Sequence, residues 1–257
     1  MKKVRLSVLA LASLFATFNA TAQFADAVTD YNPGTGFSAG YTNADAALGE
    51  PSRVTPGTYG GPVTPFNPAY LPSQLVSIGA GGSLTVKFDQ PIHDQPRNRF
   101  GIDLIIFGNP GFIITNDFSF ETFDWIGTPA TDGSLFGANA GETRVSVSRD
   151  GVTFYQLNPA HAPTVDGSMP TDGTGDFTIP ADPSLTAADF AGLTEAQIHA
   201  LYYGSAGGTG YDLATAQDAN GKPVHLQWIS HLRIEVVSGK ADVDGVSAVF
   251  NPTGNKR

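Results

Sequence analysis

Carboxylates are the side chains in this sequence best suited to chemistry. Among 257 residues there are 24 acidic and 14 basic ones, five histidines and no cysteine. Without cysteine there is no disulfide, thiolate nucleophile or zinc-thiolate site. Asp242 and Asp244 are two apart. On extended backbone both point to one face and can share a Ca²⁺, although Asp-Val-Asp-Gly serves equally well as a plain turn. No EF-hand loop surrounds them, because Lys240 stands where a first ligand is needed and no matching Glu comes after it. Asp212 follows Gly207-Gly208-Thr209-Gly210, which is not a phosphate loop: no Gly-Lys-Ser/Thr comes next and no G-x-G-x-x-G opens a helix. Tyr202, Tyr203 and Tyr211 beside it, and Trp125 further back, have ring faces suited to stacking on a sugar; tyrosines at a helix end serve equally in packing.

The remaining groups select no reaction. His93, His161, His199, His225 and His231 include no H-x-H or H-x-x-x-H pair. Gly204-Ser205-Ala206-Gly207 is not the G-x-S-x-G elbow. Paired carboxylates for glycoside hydrolysis are defined by their separation across a cleft, which spacing in sequence does not give.

These side chains must be positioned by strands. In Thr143 to Leu157, Val145 and Val147 alternate with polar residues, Asp150-Gly151 makes a turn, and Thr153, Phe154, Tyr155 and Leu157 begin a second run, so the segment reads as a hairpin. Leu84, Val86 and Phe88, and later Leu232, Ile234 and Val236, alternate in the same way. The unbroken run Leu104 to Phe107 suits a strand covered on both faces. A turn is expected over Gln90 to Asn98, and a further strand over Asp117 to Trp125 with Phe118, Phe120 and Trp125 inward. Asp242 to Gly245 is expected to turn the chain, and Val246, Ala248 and Phe250 to close the core. The helical signal lies between Pro183 and Gly204. Thr194 and Gln197 fit a capping box, Ile198, Leu201 and Tyr202 share a face, and Gly204 stops the helix. The whole predicts an all-β antiparallel sandwich, a jelly roll, with one short helix and long loops.

Residues 1–22 read as a secretory leader: Lys2, Lys3 and Arg5, an apolar run, then Ala20-Thr21-Ala22 before Gln23. The leader holds three of the 14 basic residues and none of the 24 acidic ones, so residues 23–257 carry a formal charge of −13. That argues against nucleic acid and anionic membrane as partners; it suits cations, and equally a plain solvated acidic surface. After the leader, residues 23–71 are expected to form a loop-rich segment, ordered by packing Tyr31, Phe37, Tyr41 and Leu48 along the sandwich edge. The sandwich is expected over 72–251, with a tail over 252–257. No further membrane span is expected.

Five motifs in order, LVSIGAGGSLTVKFDQPIHD, IDLIIFGN, VSVSRDGVTFYQL, GYDLA and LRIEVVSGKADVDGVSAV, resemble exported bacterial surface proteins of the PEP-CTERM-associated type with a discoidin or galactose-binding-like jelly roll. The likeness runs from about Leu75 to Phe250. Gly108 stands where that family often has an acidic residue, and no sorting tail is visible. The resemblance implies a structural Ca²⁺ where an early loop meets the last strand, with Asn43, Asp45 and Glu50 joining Asp244. It implies a non-catalytic exported protein, at the cell surface, in the periplasm or outside the cell, making adhesive or extracellular-matrix contacts with a glycan or a surface protein. The alternatives are a carbohydrate-binding module using Trp125, Tyr202, Tyr203, Tyr211 and Asp212, and an exported hydrolase acting on glycans.

Overall fold

The computed structural model describes residues 23–249 except 59, 139–140, 162–163 and 166–168. The leader, Phe250 and the tail lie outside the described residues. In chain order the main strands begin with β1 (Ala27–Asn32), β2 (Val76–Gly79), β3 (Ser83–His93), β4 (Leu104–Phe107) and β5 (Gly111–Ile114). Next come β6 (Thr131–Phe136), β7 (Thr143–Ser148) and β8 (Tyr155–Leu157), then the helices α1 (Ala187–Phe190) and α2 (Glu195–Tyr202). The chain ends with β9 (Thr209–Tyr211), β10 (Ala216–Gln217), β11 (Trp228–Val236), β12 (Lys240–Val243) and β13 (Gly245–Ala248).

One layer is a six-stranded antiparallel sheet in the order β1-β3-β11-β7-β8-β10. The facing layer joins β9-β4-β13 to the pair β12-β2. Beta-branched and aromatic residues at every second position put one face of each layer inward. Leu84, Val86 and Phe88, Val145 and Val147, and Leu232, Ile234 and Val236 meet Val76, Ile78, Leu104, Ile106, Val243 and Val246 in one buried core. This is the predicted antiparallel β-sandwich. β4 is buried at all four positions because its outer side chains, Ile105 and Phe107, pack under Phe177 and Ala206 from the later loops. Among the described residues no helix is long and apolar enough to cross a membrane.

α2 forms as its sequence predicts, with the Thr194–Gln197 capping box, Ile198 and Tyr202 buried, and Tyr203 then Gly204 in the left-handed region. A second capping box, Thr186–Asp189, adds the one-turn α1. With Phe112, Phe190 and Met169 the two helices build a small satellite core.

Several expectations are corrected. The segment 23–71 is not all coil: β1 hydrogen-bonds to β3 and forms an edge of the large sheet. The turn expected from Gln90 begins later, because β3 continues to His93 opposite Trp228. In the 143–157 hairpin the second strand starts at Tyr155, since Asp150 Oδ1 accepts the amides of Val152 and Thr153 and holds those residues in the turn. Asp242 to Gly245 does not turn the chain. β12 runs on into β13, changing partner from β2 to β4 at Asp244, whose amide donates to Phe107 O (2.8 Å). The segment 117–125 is no core strand either. It is a tiny hairpin, Phe118–Ser119 against Asp124–Trp125, with Phe120 86% exposed.

Candidate functional site

Strand register assembles the most concentrated chemistry in the molecule. Leu104 of β4 faces Tyr211 of β9, so the residues just outside that pair, Asp103 and Asp212, lie side by side. The Asp103 amide seals the junction by donating to Tyr211 O (2.9 Å). β3 meets β11 at His93–Trp228, and the next residue, Asp94, donates its amide to Gln227 O (3.2 Å). One carboxylate oxygen from each of Asp94, Asp103 and Asp212 lies within 4.8 Å of the other two.

Asp103 is the buried member. Its Oδ1 accepts the Gln95 amide and Asn98 Nδ2, both at 2.9 Å, and its Oδ2 accepts the Leu213 amide at 3.0 Å. Burial lifts its carboxyl to about 7 against the pull of the Gln95 and Leu213 amides, and the charges of Asp94 and Asp212 push the same way as burial. Asp94, half-buried, is raised by burial and then by Asp212, while His225 opposes the rise. Asp212 is half-buried and caps a short turn, its Oδ1 accepting the Ala214 amide (2.8 Å). Asn98 is 6% exposed; its Nδ2 is spent on Asp103, and among the described residues its Oδ1 has no hydrogen-bond partner. The 94–103 loop thus wraps Asp103 from both ends. Gly101 suits it because φ is +73°, a conformation that glycine adopts without a Cβ clash.

Beside this group opens a cleft of about 730 Å³ with an apolar floor that includes Ile102, Phe112, Met169 and Phe190; Asp212 stands in its wall. Phe100 also lines the cleft, and the Arg99 guanidinium lies over both its ring (4.9 Å) and that of Tyr203 (5.2 Å).

The second concentration of features is the 118–125 hairpin. Phe118 makes edge-to-face contacts with Phe120, Phe123 and Trp125 at 5.2 to 5.4 Å. Phe123 is held at φ +54°. Phe120 and Phe123 point into solvent at 86% and 81% exposure, with Ile126 beside them at 61%. Asp117, Glu121 and Asp124 lie in or next to the same hairpin, all exposed.

The structure disperses the residues singled out from the sequence. Asp242 and Asp244 are both buried. Asp244 is satisfied by the chain itself: Ser52 donates its amide to Oδ2 (2.9 Å) and its hydroxyl to Oδ1 (2.8 Å), and burial still lifts the carboxyl to about 7. Asp242 takes Lys240 Nζ at 3.3 Å, and Glu50 is paired with Arg53 at 2.7 Å. Asn43 and Asp45 are exposed, at the start of a short 3₁₀ turn over Ala44–Ala47. Among the described residues the carboxylates of Asp45, Glu50, Asp242 and Asp244 do not converge as those of Asp94, Asp103 and Asp212 do. The early loop therefore does meet the last strand, but through Ser52.

Among the ligand candidates, Tyr202 and Tyr211 are fully buried, and the Tyr202 hydroxyl donates to Pro170 O (2.8 Å). Their faces are spent on packing and are not open to a sugar. Tyr203 is 78% exposed, Trp125 is half-buried in the hairpin, and Asp212 lies in the acidic group. Asp94, Asn98, Asp103 and Phe123 escaped sequence reasoning as functional residues, and Phe120 reads from the sequence as core. The available signal was an acidic residue directly flanking an apolar strand at Asp103, where side chains at strand ends meet other strand ends. Compared with known proteins, the chain matches no family model and no curated sequence.

Proposed function

We propose that this is an exported, non-catalytic binding protein that makes adhesive contact with another protein through its 118–125 aromatic hairpin. The observation that carries this reading is the exposure of Phe120 and Phe123 at the end of a β-hairpin, where both pack against Phe118, itself backed by Trp125. Large apolar side chains grouped in this way mark contact sites. Phenylalanine has no hydroxyl or ring N–H for sugar oxygens, which favours an apolar pocket on a protein. The exposed Asp117, Glu121 and Asp124 of the same segment ask for a basic rim around that pocket and repel anionic lipid. Burying each ring contributes about 1.5–3 kcal/mol, enough for the pair to act as the anchors of an interface.

The test is to probe arrays of immobilised extracellular-matrix proteins and of glycans with residues 23–257 and with the double variant Phe120→Ser/Phe123→Ser. Both side chains are exposed, so the variant should melt with the parent. Protein binding that drops at least about tenfold in the variant supports the proposal. Binding untouched by the variant, or binding to glycans alone, overturns it. A second reading, a carbohydrate-binding module, draws support from the cleft: Phe100 at its rim is 45% exposed and is tied through Arg99 to the exposed Tyr203. Glycan binding lost in Phe100→Ala would favour that reading.

A further inference from the structure

We propose that Asp94, Asp103 and Asp212, together with the Oδ1 of Asn98, form a Ca²⁺ site that fastens the 94–103 loop to the turn after β9. Three carboxylates converge at the ends of three strands, each giving one oxygen within 4.8 Å of the others. Calcium–oxygen bonds are about 2.3–2.6 Å, so ligands on opposite sides of one ion stand about 5 Å apart and the spread matches. An acidic cluster alone does not make a site. The independent sign is Asn98, which is 6% exposed and whose Oδ1 has no hydrogen-bond partner among the described residues.

A buried amide oxygen left unpaired is costly, so such groups are rare without a reason. Here the reason is at hand, because the same amide touches the cluster through Nδ2 and Asp103 Oδ1. Its oxygen, one bond from the shared carbon, is a neutral ligand of the kind Ca²⁺ takes alongside carboxylates. Asp94 and Asp212 are half-buried, which leaves a path for the ion and room for water ligands. Every donor is oxygen, so a hard cation is selected over zinc or copper. Mg²⁺ demands a near-ideal octahedron at about 2.0–2.1 Å and keeps most of its waters, so a site offering several protein oxygens suits Ca²⁺ better.

The site differs in place and residues from one at Asp242 and Asp244, and the two can be separated by experiment. The parent chain, residues 23–257, is stripped with EDTA and titrated with CaCl₂ at neutral pH by calorimetry and thermal melting, beside Asp94→Asn/Asp212→Asn and Asp244→Asn. The amide oxygen introduced by Asp212→Asn still caps Ala214, and removing two like charges should leave the metal-free melting point equal or higher. At a hundredfold excess over Kd, Ca²⁺ should raise the parent's melting temperature by about 5–10 °C. In the double variant the affinity should fall at least about tenfold. Asp244→Asn should respond to Ca²⁺ as the parent does. The proposal is overturned by the absence of both heat and shift up to about 10 mM Ca²⁺, well above the range of extracellular calcium modules. It is also overturned by a shift lost in Asp244→Asn but kept in the double variant, or by Mg²⁺ giving the same shift as Ca²⁺.

Discussion

Asp244→Asn tests how much a buried carboxylate costs this fold. In the native chain its carboxyl is pushed up to about 7 by burial, against the amide and hydroxyl of Ser52 that favour the charged form. An unfolded aspartate titrates near about 3.9. Between those values the native state binds the proton that the unfolded state has lost, so stability falls as pH rises from about 4 to about 7. The loss reaches about 4 kcal/mol above pH 8, of which about 2.6 kcal/mol accrues between pH 5 and pH 8. Asparagine keeps the geometry: its oxygen accepts the Ser52 amide now held by Oδ2 (2.9 Å), and its NH₂ can donate to the Ser52 oxygen now 2.8 Å from Oδ1.

The variant therefore lacks this part of the pH dependence. Melting followed by circular dichroism in EDTA, at pH 5 and pH 8, should show the parent losing about 5–10 °C more than Asp244→Asn across that interval. Asp103, raised to about 7, adds a fall of the same sign in both proteins and cancels from the comparison. Equal slopes in parent and variant would refute the reasoning. So would a variant less stable than the parent at pH 8.

Packing sets two further outcomes. Gly79→Ala places a Cβ 2.3 Å from Thr35 O and 2.7 Å from the Phe37 amide, where β2 crosses the early loop. Because both contacts are backbone, a loss of more than about 3 kcal/mol is expected in urea unfolding. Tyr202→Phe removes the hydroxyl donated to Pro170 O in a fully buried place, and should cost about 1–3 kcal/mol with helix content unchanged by circular dichroism.

The sandwich was legible because alternation is a local signal that tertiary contacts reinforce: Leu84, Val86, Leu232 and Ile234 read as inward and are fully buried. α2 was legible for a similar reason, since Thr194, Gln197 and Gly204 are read within one segment. What failed was non-local. Asp242-Val243-Asp244-Gly245 has the composition of a turn, yet partners on both sides hold it extended, β2 along its first half and β4 along its second. Phe120 looked like core because aromatics usually are, but a two-residue ladder has too little backbone pairing to fold it inward. The acidic group was invisible for a simpler reason. Asp94, Asp103 and Asp212 are far apart in sequence, and only the pairing of Leu104 with Tyr211 and of His93 with Trp228 brings them together.

The partner-switching strand also has a bearing on timing. β13 lies between β4 and the stretch around Phe24, whose neighbours Gln23 and Ala25 exchange backbone hydrogen bonds with Ala248 and Val246. Nearly the whole described chain separates residues 23–25 from residues 246–248, so the facing layer has no latch until residues 245–248 are available. A chain threaded through a pore with its first residues leading would emerge with the latch arriving last, and would stay open in transit for want of one short strand.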